Sequence, residues 1–504
     1  MSATRMLAVD FGASGGKCFS GTLESGRFTM EEVHRFAHEG VSLFLADRKG
    51  TLEERTVWDD TYLYQQILKG IQAYRRVCGQ KLDSIGIDTW GADGHLLSAD
   101  GDLLGKVYCY RDHRLDRMVE QVKQRIDARR VYEITGIHFQ PFNVSNQLLW
   151  LAQNRPGLFG DGVFYLPIPS LFYHYLGGVH SVDSTWASVT QLMDARTRQW
   201  SGEILNALGI PATVMPEIVA PGTVVGRLHE PLARLVGVDP ARLVAVAAHD
   251  TASAFAAAPV SDPARSLIIS SGTWSLVGKL VAQPITSPAA MAANISNEGG
   301  IGNTRFLKNC MGMWLVQELR RGWAVADGKE MSWKEMDRIT LEAPLSTAWI
   351  DPDHASFYNP ANMEQAMIEC CRKTDQQAPK DRGGMIRMVY ESLALKYRFV
   401  NEQIDAVSGS TTTAVHIVGG GSKNIMLNQC AADVLGLPVY AGPEEATAVG
   451  NFMIQAMGLG LIGSMQEAQP VIRQAFPIRE FKPVDTARWN PVYDRFKQVC
   501  LKPG

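Results

Sequence analysis

Short apolar runs that stop abruptly at an acid, a hydroxyl or a glycine recur along this chain, and they predict its architecture. Met6-Leu-Ala-Val-Asp10, Ser84-Ile-Gly-Ile-Asp88, Arg242-Leu-Val-Ala-Val-Ala-Ala-His249-Asp250, Ser266-Leu-Ile-Ile-Ser270-Ser271 and Val415-His-Ile-Val418 all have this form. Such runs read as strands covered on both faces. Between them, 61–77 and 388–406 carry apolar residues at helical spacing, and 425–435 follows a glycine turn as a helix. Strands alternating with helices predict an α/β protein. Residues 31–59 read as polar and irregular, 122–131 as a charged helix, and 136–143 as a loop with aromatics. Pro167-Ile-Pro169-Ser170 reads as the cap of a further helix, 294–300 as a loop, and 307–318 as a helix that puts Asn309 and Gln317 on one side.

What interrupts the pattern carries the chemistry. In Phe11-Gly12-Ala13-Ser14-Gly15-Gly16-Lys17 the glycines predict a hairpin turn with successive exposed N–H groups, and Ser14 and Lys17 add donors. The turn is one residue short of a Walker A loop, and Cys18 stands where that loop has Ser or Thr. Ser271-Gly272-Thr273 repeats the arrangement about 260 residues on and predicts two related domains, 1–258 and 259–504, parted at the proline-rich stretch 257–264. The triple glycine 419–421 lets backbone lie flat against a ligand, and Gly442 to Asn451 leads into another helix. Asp88-Thr-Trp90-Gly91-Ala-Asp93-Gly94 puts carboxylates and a ring at a strand end, which suits a polyol or an Asx turn. Asp250 stands where strand becomes helix, the edge at which open α/β sheets bind ligands. An Asp there serves as a base or caps the helix.

Composition narrows the classes. A chain of 504 residues exceeds one hydrophobic core. A formal charge of −3 provides no basic footprint for nucleic acid or anionic membrane. No run reaches the ~18 apolar residues of a span, and the first residues lack the order of a signal peptide, so a cytoplasmic protein is expected. The eight cysteines lack CxxC spacing and read as small buried hydrophobes rather than zinc ligands.

Taken in register, D-F-G-A-S-G-G-K, I-G-I-D-T-W-G, A-H-D-T-A-S-A, S-S-G-T-W-S-L, N-I-S-N-E-G-G, L-K-N-x-M-G-x-W-L-x-Q and H-I-V-G-G-G-S-x-N resemble the FGGY carbohydrate kinases from about Leu7 to Asn451. The resemblance implies two actin-like ATPase domains of ribonuclease-H type with an inter-domain cleft, the ketose mainly on the first and ATP mainly on the second. It implies Asp250 as proton acceptor, with Gly91, His249, Thr251 and Asn309 as sugar contacts. Ala13, Ser14, Gly15, Gly16, Lys17, Thr273, Gln317 and Gly420 are the implied ATP contacts, and Asp10 the carboxylate for Mg2+. The likeness is strongest to members that phosphorylate L-rhamnulose at O1, with L-fuculose, L-ribulose or L-xylulose as alternatives, and a silent sugar-responsive binding protein as the rival from another class. Gly94, where the family usually has an aromatic, Ser170, where it has Asp, and Trp186 and Val189 depart from the pattern. They bear on which ketose fits.

Overall fold

The structure is a computed structural model that describes residues 3–46 and 50–501. The chain divides into two compact units. The first comprises Met1–Ala257, Val281–Phe306 and Thr447–Ala475, the second Ala258–Leu280, Leu307–Ala446 and Phe476–Gly504.

In the first unit, β1 (Thr4–Gly12) and β2 (Gly15–Glu24) form a hairpin in which Gly12 faces Gly15 and Ala13-Ser14 make the turn. β3 (Arg27–Ala37) pairs antiparallel with β2, and β4 (Val41–Ala46) pairs with β5 (Leu52–Val57) as a separate ribbon. These strands occupy the stretch expected to be irregular. Their outward positions are polar because β3 is an edge strand and the ribbon is half solvated, so no apolar run announced them. The helix Asp60–Cys78 follows, capped by Asp59, whose side chain accepts from the Tyr62 N–H.

β6 (Ser84–Asp88) is wholly buried and lies parallel to β1, Asp10 opposite Asp88. β7 (Gly94–Leu97) pairs with β8 (Phe164–Pro167), and β9 (Ser181–Asp183) with β10 (Glu217–Val219). β11 (Thr223–Arg227) and β12 (Arg242–Ala245) complete a sheet of order β11-β12-β6-β1-β2-β3, with β12 parallel to β6 and β11 antiparallel to β12. The apolar runs became the central parallel strands, where both faces of a strand are covered.

Two helical expectations for this unit need correction. The charged helix is two, Met118–Arg125 and Ala128–Thr135, because Asp127 accepts from the Arg130 N–H and starts a new one. Ser170 does not cap its helix. That helix, Ile168–Gly177, begins at Pro167 without a side-chain cap, and the Ser170 hydroxyl donates to the Ser181 carbonyl at 2.7 Å.

In the second unit, β13 (Ser266–Ser271) and β14 (Trp274–Val281) form a hairpin. The expected loop 294–300, which belongs to the first unit, contains β15 (Ser296–Gly299), and the expected helix at 307 is instead β16 (Thr304–Met311), whose residues from Leu307 on belong to the second unit. The helix begins only at Trp314, so Asn309 and Gln317 do not share a helical face. The break falls at Gly312, where a Cβ would come within 2.8 Å of the Gly272 carbonyl and the Ser275 nitrogen. β17 (Ala414–Val418), β18 (Val439–Ala441) and β19 (Arg479–Phe481) extend the sheet in the order β14-β13-β17-β18-β19. β17 is parallel to β13, β18 parallel to β17, and β19 antiparallel to β18. A hairpin, two further parallel strands and an antiparallel edge recur in both units, so the weak sequence repeat is a repeat of topology.

The helix Ala446–Gly458 returns the chain to the first unit. It lies on backbone. A Cβ on Gly450 would overlap the Ser253 carbonyl, and one on Gly458 the Gly222 carbonyl, while Phe452 fills the space above Gly21. Gly450→Ala should therefore lower the stability of this unit by about 1–3 kcal/mol, read as a drop in its thermal or urea midpoint, because the obstacle is backbone that cannot rotate away.

Candidate functional site

The parallel strands of the first unit end at one edge, and there they set down Asp10, Asp88 and Asp250. Just past β6 the Thr89 N–H donates to the Ala248 carbonyl at 2.8 Å, and the Asp250 N–H donates to the Thr89 carbonyl at 2.9 Å. The base candidate is thus fixed by backbone bonds. Asp250 opens the helix Asp250–Ala257, and its Oδ1 accepts from the Thr251 N–H at 2.6 Å and the Thr251 hydroxyl at 3.0 Å. Both bonds fall on one oxygen. They restrain the carboxylate without being the bonds a cap makes to the second or third residue on, and its side chain keeps 29% of its surface exposed. Dense surroundings raise its pKa to about 6, against the Thr251 bonds and the charge of Arg305.

Asp88 is buried completely. Burial first, and then the charge of Asp10 beside it, push its proton affinity well above the ordinary carboxylate range. One oxygen accepts from Asn451 Nδ2 at 2.6 Å, and Gln455 holds Asn451 in turn at 2.7 Å. The other, Oδ1, meets no donor among the described residues. Asp10 stands opposite Lys17 across the hairpin.

His249, with 10% of its side chain exposed, packs on Gly91, where a Cβ would come within 2.7 Å of Nε2. Burial and the Arg305 charge hold the ring well below its usual pKa, so it is neutral. Its Nδ1 lies 3.1 Å from Arg305 Nη2 and 3.4 Å from Glu298 Oε2, and Arg305 and Glu298 form an ion pair at 3.0 Å.

Beside this cluster Trp58 and Trp90 pack at 4.6 Å between ring centroids. Asp93, at φ 77°, accepts from Trp58 Nε1 at 2.7 Å, Trp90 Nε1 at 3.1 Å and Gln147 Nε2 at 3.1 Å. Its carboxylate anchors the indoles and is not open to a polyol. Gly94 has no room for a side chain, because a Cβ would lie 2.5 Å from the Leu166 carbonyl, with Tyr165 occupying the adjacent space. Trp186 is buried completely and donates to the Trp90 carbonyl at 3.1 Å. Val189 is buried too.

The sequence-predicted site residues therefore fall into two groups. Asp10, Gly91, His249, Asp250 and Thr251 lie in the first unit at the strand ends, with Ala13, Ser14, Gly15, Gly16 and Lys17 on the adjoining hairpin. Thr273, Asn309, Gln317 and Gly420 lie in the second unit. There the Thr273 carbonyl accepts from the Gly312 and Trp314 N–H groups, and the Met313 N–H donates to the Gly272 carbonyl, which ties the β13–β14 turn to the start of the helix carrying Gln317. Gly419 and Gly421 pack on Ser271, while Gly420 is exposed with open space where a Cβ would be. Asn309 is half-buried on β16, its Oδ1 without a donor among the described residues.

Sequence reasoning missed Arg305, Trp58, and the link from Asn451 to Asp88 across 363 residues. Glu298 stands within the N-I-S-N-E-G-G stretch, where nothing local gives it a role. No local signal marks Arg305, which follows Glu298 on a different strand.

The FGGY family of carbohydrate kinases matches the chain by its N-terminal domain over residues 47–256 and by its C-terminal domain over 267–459. The chain belongs to the FGGY family of carbohydrate kinases. This kinase is 37% identical to a rhamnulokinase of Bacteroides thetaiotaomicron over 98% of its length and 99% of that protein's. It is 34% identical to a rhamnulokinase of Bacillus subtilis over 98% of both. Its fold is that of a gluconate kinase from Lactobacillus acidophilus, with a TM-score of 0.77 at 17% identity over 99% of this chain and 98% of that one. A glycerol kinase of Plasmodium falciparum, solved with ADP, gives 0.75 at 15% identity over 98% and 97%.

Kinases of this family use ATP with Mg2+, and the carboxylate edge fits such a cation. Asp10 and Asp88 supply hard oxygens, and the bare buried Oδ1 of Asp88 beside a second carboxylate is costly until positive charge arrives. Among the described residues no three His, Cys, Asp or Glu side chains converge to ligate a metal by themselves. The pair suits an ion that brings water or phosphate oxygens with it.

A raised folded-state pKa stabilises the fold at pH below it and costs stability once pH rises through it. Asp88→Asn should therefore raise the thermal midpoint of the metal-free protein at pH 8 by ~2–4 °C, the size of a ~1 kcal/mol change in a large domain. The gain should vanish as the pH is lowered towards 4.

Proposed function

We propose that this kinase transfers the γ-phosphoryl group of ATP to O1 of a ketose, L-rhamnulose, with Asp250 as general base. The observation that carries the reading is a reachable carboxylate of pKa about 6, fixed by backbone bonds between neighbouring strand ends. In the transfer, the C1 hydroxyl oxygen forms a bond to the γ-phosphorus as the bond to the β–γ bridging oxygen breaks. Asp250 takes the hydroxyl proton and ADP leaves. In a loose transition state that proton departs late, so a modest base suffices and alignment contributes most.

Gly91, His249, Thr251 and Asn309 contact the sugar in this reading. Ala13, Ser14, Gly15, Gly16, Lys17, Thr273, Gln317 and Gly420 hold the nucleotide through N–H groups and short polar side chains. Asp10, helped by Asp88, would hold magnesium, which when bound would neutralise phosphate charge. The division of labour follows 1–258 for sugar and base and 259–504 mainly for ATP. The name shared by the relatives, rhamnulokinase, supports the ketose. No helix among the described residues is long and apolar enough to cross a membrane.

The test is a steady-state panel of L-rhamnulose, L-fuculose, L-ribulose and L-xylulose with Mg·ATP. L-rhamnulose should give the highest kcat/KM, and equal or better turnover of another member would overturn the choice of sugar. Asp250→Asn should lower kcat by ~10²–10⁴-fold with the fold intact by circular dichroism. The base must be ionised, so log kcat/KM should fall with unit slope as pH drops below about 6, the value to which its surroundings raise Asp250. A flat profile down to pH 5 would remove Asp250 from that role.

A further inference from the structure

Arg305 is buried completely, and the reaction above assigns it nothing. Its Nη2 lies 3.1 Å from His249 Nδ1 in hydrogen-bonding geometry. A guanidinium only donates, so Nδ1 must offer its lone pair and the ring proton must sit on Nε2. Glu298 pulls the other way, since its Oε2 lies 3.4 Å from the same Nδ1 and would accept a proton placed there. That oxygen is closer to Arg305, at 3.0 Å, and a hydrogen on Nδ1 would point at the Arg305 hydrogen. Arg305 therefore decides the contest. It is held for the task, since its Nε donates to the Gly299 carbonyl at 2.8 Å and the Gly299 N–H donates to the Ser188 hydroxyl at 2.7 Å. The opposite end of the ring, Nε2, faces Gly91, where no side chain intervenes, and lies 3.6 Å from Asp250 Oδ1.

We propose that Arg305, with Glu298 as its counter-ion, is a positioning residue that fixes His249 as the Nε2–H tautomer, so that the ring donates to a ketose oxygen beside the one Asp250 deprotonates. The ketose half rests on the function proposed above; the tautomer half does not. A neutral donor at this point suits the chemistry. An imidazolium would draw the charge of Asp250 and weaken it as a base, and the opposite tautomer would present a lone pair to the sugar.

The test is a long-range 1H–15N correlation spectrum of the intact protein labelled in its eleven histidines, His249 being identified by its loss in His249→Gln. Between pH 6 and 8 the wild-type ring should show a protonated Nε2 and a bare Nδ1. A proton on Nδ1 of the wild-type ring would overturn the proposal. In Arg305→Met the proton should move to Nδ1, towards Glu298, or occupy both nitrogens, and an unchanged tautomer would show that Arg305 does not set it. The KM for ketose should rise about 10-fold in that variant, more than kcat falls, which is the loss expected for one hydrogen bond of about 1.4 kcal/mol. His249→Gln puts an amide N–H near the place of Nε2 and should keep KM within about 3-fold, whereas His249→Ala should raise it about 10-fold. Equal KM values for the two would overturn the donor role. If no ketose is phosphorylated, the kinase reading falls while the spectrum still decides the tautomer.

Discussion

Putting two carboxylates side by side at the carboxyl edge of a buried parallel sheet is costly, and much of the first unit is arranged around that cost. Asp10 and Asp88 are directly opposite in parallel register. An amide, Asn451, donates to one oxygen of Asp88; Gln455 donates to Asn451 and to the Leu7 carbonyl, and accepts from the Ser84 hydroxyl. Neutral amides satisfy one oxygen without cancelling the charge. A salt bridge there would stabilise the metal-free state and compete with a cation, whereas an amide leaves the charge available to it.

The same constraint explains why glycine recurs where the late helix crosses the sheet. For Asn451 to reach Asp88, the helix must approach backbone closely. Gly450 rests on Ser253, Gly458 on Gly222, and Gly86 is the position at which a Cβ would come within 2.7 Å of Val246. Ser253 belongs to the helix that starts with Asp250. The contact that brings Asn451 to one carboxylate therefore also seats the helix presenting the other.

A second polar system, around His249, is solved differently. Here charge is cancelled outright by the buried Arg305–Glu298 pair, and the histidine is left neutral. Asp93 shows a third solution, since its carboxylate spends its acceptors on two indoles and a glutamine. The acids near this edge thus have different duties that their residue type does not reveal. Accessibility separates them: Asp250 keeps an exposed face, and Asp88 and Asp93 do not.

The sequence by itself determined the central strands, the glycine turns, the helices read at 61–77 and 388–406, the repeat of one topology, and the placing of Asp10 at a strand end and of Asp250 where a helix begins. Those features are local. A run of branched apolar residues or a set of adjacent glycines restricts the backbone whatever surrounds it. Tertiary structure decided the rest. β3 and the β4–β5 ribbon are strands because partners in hydrogen bonding made them so, and β16 is a strand because Gly312 must pass the β13–β14 turn before a helix can begin. Ser170 bonds across to Ser181, and Gly94 yields its space to its neighbours. Which acid is reachable, which nitrogen of His249 carries the proton, and what holds Asp88 all depend on groups far away in the chain. Pairing and burial are properties of neighbours in space, and they can be read only once those neighbours are in place.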